Sequence, residues 1–148
     1  MSRSASVLSR TAYGLETHLV RVECHLAGGL PGTTIVGLAE GAVREARDRV
    51  KSAIRNSGFS YPVSHITINL APSHLSKSGT GFDLPIAMAI LVASEQLPSA
   101  ALDQTEFIGE LGYSANCAER TMYWQALYPV TKQAIVSFYL RQTPMKFN

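Results

Sequence analysis

From Val20 to Leu26 apolar and polar residues alternate: Val20, Val22, Cys24 and Leu26 fall on one side, Arg21, Glu23 and His25 on the other. A period of two puts successive side chains on opposite faces, so this stretch predicts a half-buried β-strand. Gly28-Gly29-Leu30-Pro31-Gly32 signals a turn, and Thr33 to Val36 read as a return strand that closes a hairpin. The period then changes. Ala39, Val43, Ala46, Val50, Ala53 and Ile54 recur at helical spacing, predicting a helix over 39–56 with Gly58 as its stop. Glu45 and Arg49, one turn apart, support it. His65 to Leu70 reads as a further strand. Ile86 to Ala93 is apolar on every side and predicts a helix buried all round. Pro85 fits only a first helical turn, which puts the start near Phe82 or Asp83, with Thr80 or Asp83 as the capping side chain. Thr105 to Gly109 reads as a short strand.

The element order is therefore β-β-α-β-α-β, an α+β fold with two helices packed against a mixed sheet. Residues 1–12 are Ser/Arg-rich and aperiodic, and are expected to be a loose N-terminus ahead of one domain over 13–113. Beyond Tyr113 the apolar residues follow neither period for long.

Composition narrows the classes. The 148 residues are 46% apolar and 16% charged, which suits one globular domain with its own core. A net charge of +2 is too small to argue for nucleic acid or a membrane surface by itself. Cys24 and Cys117 stand far apart without metal spacing, which favours a reducing compartment. Residues 1–10 lack the apolar centre of a signal peptide, and no run reaches the ~20 residues of a membrane span. The expectation is a cytoplasmic protein without a membrane partner.

Two stretches carry candidate chemistry. The Ser/Gly-rich loop between the 65–70 strand and the buried helix holds Lys77, Gly79 and Gly81. Its N–H groups and the lysine can bind an anion such as a DNA phosphate, or the glycines simply let the chain turn tightly. On the flank of the 39–56 helix, Arg44, Arg47, Lys51 and Arg55 form a basic stripe that can follow a phosphate backbone, face a neighbouring subunit, or be a solvated flank beside Glu45 and Asp48. His18, His25, His65 and His74 show no metal-ligand spacing, and His74 reads at most as a hydrogen-bond partner of the glycine turn. Glu23 and Asp83 form no carboxylate pair that the sequence can place together, so neither a metal site nor acid–base catalysis is expected.

Four motifs coincide in order and spacing: Gly28-Gly29-Leu30-Pro31-Gly32-Thr33-Thr34-Ile35-Val36-Gly37-Leu38, Ala42-Val43-Arg44-Glu45-Ala46-Arg47-Asp48-Arg49-Val50, Ile68-Asn69-Leu70-Ala71-Pro72, and Phe82-Asp83-Leu84-Pro85-Ile86-Ala87. Over roughly residues 7–114 the chain resembles the N-terminal domain of the ComM (YifB) family, also labelled magnesium chelatase subunit I-like. The resemblance implies a Lon-protease-like (ribosomal S5 domain 2-like) fold, ahead of an AAA+ ATPase core in the intact protein. It implies a hexameric, ring-forming motor acting on DNA in branch migration during natural transformation. ATP and Mg would belong to the AAA+ part, because no Gly-x-x-x-x-Gly-Lys-Ser/Thr occurs in these 148 residues. Lon-type proteases carry Gly-Pro-Ser-Ala-Gly where this chain reads Gly79-Thr80-Gly81, with glycine in place of the nucleophile. Ser76, Ser78 and Thr80 are out of register, and Lys77 is the one candidate base in the loop. A catalytically silent domain, monomeric as a fragment, is the main expectation, with a residual Ser/Lys peptidase as the alternative.

The family continues Gly-Glu-Leu-Gly with a segment like Ser-Gly-Glu-Leu-Arg, whereas Gly109-Glu110-Leu111-Gly112-Tyr113-Ser114 here runs into Ala115-Asn116-Cys117-Ala118. Codons read from the third base of each residue from Ser114 onward allow Gly, Glu or Gln, Leu, and Arg, so the motif reappears in a shifted frame. Residues 114–148 are accordingly expected to be an out-of-frame tail, the domain truncated at its C-terminal end, and a functionless frameshifted product is a further alternative.

Overall fold

The computed structural model describes residues 3–77, 80–102 and 105–113. Strands β1 (Arg3–Tyr13) and β2 (Glu16–Ala27) pair antiparallel across a two-residue turn in which Gly14 takes φ +61°. Strand β3 (Gly32–Val36) leads into helix α1 (Glu40–Asn56), then come β4 (His65–Ala71), α2 (Asp83–Ala93) and a 3-10 turn at Ser99–Leu102. The sheet order is β1-β2-β4-β3, with β2 and β4 antiparallel and β3 and β4 parallel. It is a mixed four-stranded sheet with two helices, the α+β class that the periodicity predicts. Val20, Val22, Cys24, Leu26, Ile66, Ile68 and Leu70 form the inward face, while Arg21, Glu23 and His25 remain exposed opposite.

Three expectations need correction. Residues 3–12 are not loose: they belong to β1, paired with β2 along its whole length. The inward positions of β1 are Val7, Ser9 and Thr11, all buried, so two hydroxyl residues interrupt the apolar alternation that would have marked a strand.

Thr33 to Val36 do form a strand, but not the return arm of a hairpin with β2. β4 lies between them, and β3 joins β4 in parallel through α1, a β-α-β crossover. The composition explains the order. β4 buries Ile66, Ile68 and Leu70 completely and takes the centre, whereas Ile35 is the one buried residue of β3 and suits an edge. Gly37 sits where β3 ends against β4. Its φ is +99°, and a Cβ there would lie 2.6 Å from the Leu70 carbonyl oxygen, so glycine is required.

Neither candidate capping side chain caps α2. The Thr80 hydroxyl donates to Glu110 at 2.6 Å, and the helix start is closed by backbone acceptors: Asp83 N–H to the Thr80 carbonyl (3.2 Å) and Leu84 N–H to the Gly109 carbonyl (3.0 Å). The rest of α2 is buried on every side, as its composition predicts. α1 ends with Ser57 as C-cap and Gly58 at φ +83°; Phe59 N–H reaches the Ile54 carbonyl and Gly58 N–H the Arg55 carbonyl, the double closure of a Schellman motif. The expected 105–109 strand is one bridge wide, Leu8 with Glu106, secured by Phe107 N–H to the Leu8 carbonyl at 2.8 Å. Ser78, Gly79, Cys117 and the expected out-of-frame tail lie outside the described residues.

Candidate nucleic-acid interface

The helical spacing of 44, 47, 51 and 55 lines four cations along one flank of α1. Arg44, Lys51 and Arg55 are exposed, and Arg47, 3.9 Å from Asp48, keeps 41% of its side-chain surface open. The buried flank is Ala46, Val50, Ala53 and Ile54, with Val43 half-buried at its edge. Eleven helical steps separate Arg44 from Arg55, about 16 Å at 1.5 Å per residue, which matches roughly five nucleotide steps along one DNA strand.

An aromatic side chain joins the stripe. Lys51 Nζ stands 5.7 Å from the centre of the Tyr61 ring, a cation–π distance, and the Tyr61 and Thr33 hydroxyls share a hydrogen bond of 2.8 Å. Burial pushes the Tyr61 phenol up, while the Thr33 hydrogen bond and the charges of Arg47 and Arg55 pull it back. Tyr61 thus ties the stripe to the β3 edge. Its sequence context, a short turn before Pro62, carries no motif that would have revealed this.

Arg49 belongs to the same helix but turns inward. Its Nε donates to Asp83 Oδ2 at 2.6 Å and its Nη2 to Oδ1 at 3.2 Å, and Leu111 N–H donates to the same carboxylate at 3.2 Å. The expected Glu45–Arg49 pair is present at 3.6 Å, on the solvent side of this fork. Burial pushes the Asp83 carboxyl above its ordinary range, against the pull of Arg49 and the Leu111 N–H, and the Asp83 hydrogen bond raises Arg49 in turn. Three parts of the chain, α1, α2 and the segment around Leu111, therefore meet at one largely buried ion pair.

The Ser/Gly loop is arranged differently from the stripe. Lys77 is 5% exposed, its ammonium donating to the Pro72 carbonyl at 2.5 Å and the Leu75 carbonyl at 3.0 Å, and desolvation lowers its pKa. The Gly81 carbonyl accepts from Gly109 N–H at 2.9 Å, and a Cβ on Gly81 would meet Ile108 at 3.1 Å. Ser76 and His74 are exposed. The loop is thus braced by protein partners, and the structure brings Lys77 together with its own loop's carbonyls. Cys24, buried in the sheet, has its thiol pushed up to about 12 by desolvation and is no nucleophile. Among the described residues no group of His, Cys, Asp and Glu can hold a metal ion, and no helix is long and apolar enough to cross a membrane.

The profile of the family described as subunit ChlI of Mg-chelatase matches residues 22–140. The chain belongs to the ChlI family. Within the range of that family it is similar to the YifB protein of Escherichia coli (strain K12), 56% identical over 105 residues. It is also 53% identical over 107 residues to the competence protein ComM of Haemophilus influenzae, and 39% identical over 111 residues to a Mycobacterium bovis protein. These alignments cover 71%, 72% and 75% of this chain but 21%, 21% and 22% of the relatives, so the chain spans about a fifth of their length. The family match spans the stretch in which the four motifs of this ChlI-family chain lie.

Proposed function

We propose that this ChlI-family chain is the non-catalytic N-terminal domain of a ComM-type AAA+ protein that acts on DNA. In this reading the intact protein is a ring-forming, ATP-driven motor for branch migration during natural transformation, and this domain contributes phosphate contacts or subunit contacts. A Lon-like ancestry of the fold belongs to the same reading. The observation that carries it is the stripe Arg44, Arg47, Lys51 and Arg55, held in one line on a rigid helix, in a chain similar to a competence protein. Lys77 is the weakest member of the proposed contact set, because its ammonium already has two acceptors.

Phosphate contacts alone give binding that ignores sequence and weakens with salt, because each neutralised phosphate releases counterions. Fluorescence anisotropy with labelled duplex and single-stranded DNA, run from low to physiological salt, is the test. Binding should be weak and fall steeply with salt, and Arg44→Ala/Lys51→Ala/Arg55→Ala should reduce it equally for all sequences. The slope of log K against log salt should flatten by about 0.9 for each duplex phosphate that the variant no longer neutralises. Unchanged affinity in the triple variant rules the stripe out. In parallel, a fluorescent peptide substrate should not be cleaved; turnover abolished by Ser76→Ala or Lys77→Ala would replace this reading with a peptidase.

A further inference from the structure

The β1–β2 hairpin outruns the rest of the sheet. β4 pairs with β2 only from Arg21 onward, whereas β2 begins at Glu16, so Glu16–Val20 extend past that pairing by roughly 16 Å at 3.3 Å per residue. Of the seven large apolar side chains exposed among the described residues, three, Tyr13, Leu15 and Leu19, sit on this arm. Leu15, at its apex, is wholly exposed. The register puts Tyr13 and Leu19 on opposite faces of the arm, so the apolar feature the arm presents outward is its tip, where Leu15 stands.

A fourth, Val36, lines a groove on the opposite edge of the sheet. This open, shallow groove, about 490 Å³, lies where β3 passes into α1; Val36, Leu38 and Val43 give it aliphatic patches within a lining that is polar for about half its surface, and Arg44 and Arg47 a basic rim. Glu40 also lines it, leaving one net positive charge. No strand pairs with the outer side of β3 among the described residues. The register puts arm and groove at the same end of the sheet: Val36 pairs with Asn69 and Arg21 with Ala71, both toward the end of β4.

We infer that the hairpin arm of one copy seats in the β3–α1 groove of a second copy of this chain. Leu15 supplies the aliphatic tip for these patches. Beside it the Glu16 carboxylate, 79% exposed and 3.6 Å from His18, meets the Arg44/Arg47 rim. The lining holds aliphatic side chains but no aromatic one on which a base could stack, so a protein tip fits it better than a nucleotide. Arm and groove lie on different edges, so the contact is head-to-tail and each copy uses both surfaces, the arrangement that closes into a ring when the rotation per copy divides the circle. The inference deepens the ring-forming part of the proposed function and rests on it. Arg44 and Arg47 sit at both proposed surfaces, so the trap itself uses Leu15 and Val36, and the two arginines enter only in the charge-reversal rescue.

The experiment is disulfide trapping in the full chain, in a Cys117→Ser background with Cys24 left in its buried place. A tagged Leu15→Cys chain is mixed with an untagged Val36→Cys chain and oxidised gently without DNA. The mixed dimer should form in excess over same-variant dimers and over a control pairing of Leu15→Cys with Leu30→Cys, which is exposed on another loop. Adding Glu16→Arg to the tagged chain should cut its yield about tenfold, and Arg44→Glu/Arg47→Glu in the partner should restore it. Absence of the mixed dimer, a yield equal to the control, or indifference to charge reversal overturns the inference. DNA binding is measured on the same chains, which keeps the two readings apart. A Leu15→Cys/Val36→Cys pair that fails to trap while DNA is still bound sinks the subunit contact and leaves the phosphate reading standing. A pair that traps as described while the triple stripe variant binds DNA unchanged sinks the phosphate contacts and supports the subunit contact.

Discussion

Arg49 and Asp83 meet at the seam between α1 and α2, with 13% and 1% of their side chains exposed. Taking two charges out of water is costly, and their attraction offsets that cost only with close geometry and further hydrogen bonds. Both conditions hold here, through the two-pronged fork and the Leu111 N–H. The pair therefore matters most when half of it is removed. Asp83→Asn should cost about 3–5 kcal/mol in urea unfolding, because it strands the guanidinium in the seam. Adding Arg49→Met should recover most of that loss, since no orphan charge remains while the Asn side-chain oxygen still accepts from Leu111. A single-variant cost below about 1 kcal/mol would make the pair incidental. Nothing in the chain's periodicity pointed to it. Arg49 fits a surface pair with Glu45, Asp83 fits a helix start, and their meeting depends on how two helices cross.

At the level of elements, the apolar pattern revealed those whose buried face carries an unbroken series of apolar positions. α1, α2 and β4 carry it in Val50 and Ile54, in the run from Ile86, and in Ile66, Ile68 and Leu70. β1 escaped because its buried face includes Ser9 and Thr11, and the place of β3 escaped because adjacency in sequence suggested a hairpin that the more apolar β4 displaces. The basic stripe was legible for the same reason as α1 itself, whereas Tyr61 beside Lys51 required the fold. Ser9 gives β1 its own prediction. Its hydroxyl is fully buried and has no hydrogen-bond partner among the described residues. A buried hydroxyl left unpaired loses its hydration without compensation, so Ser9→Ala should raise stability by about 1 kcal/mol. The check is the urea midpoint at unchanged m-value. A loss of similar size would show that the hydroxyl is satisfied after all.

At the largest scale, residues 105–113 tie β1, α1 and α2 together. This strap carries neither helical nor strand period, yet its parts are fastened to β1, to α2 and to the end of α1. Phe107 N–H joins the β1 edge at Leu8, and the Glu106 carboxylate accepts from Arg10 Nε and Nη2, each at 2.7 Å. Gly109 accepts from Leu84 at the start of α2 and donates to Gly81, Leu111 N–H reaches Asp83, and the Asn56 side chain at the end of α1 donates to the Tyr113 carbonyl. Phe107 and Leu111, each 2% exposed, sit in the same core as the sheet residues. A segment attached at so many places cannot open without opening the elements it joins, which places it in the most stable cooperative unit rather than among fraying ends. Leu111→Ala should therefore cost about 2–5 kcal/mol, as for a central core leucine, and leave a single unfolding transition. Native-state hydrogen exchange is the sharper measurement. The amides of Phe107, Gly109 and Leu111 should exchange with the same opening free energy as those of β2 and β4, and that energy should fall in step for all of them in Leu111→Ala. Exchange of the three strap amides several kcal/mol more readily than the sheet amides would show a flap laid over a finished fold, and would remove the strap from the core.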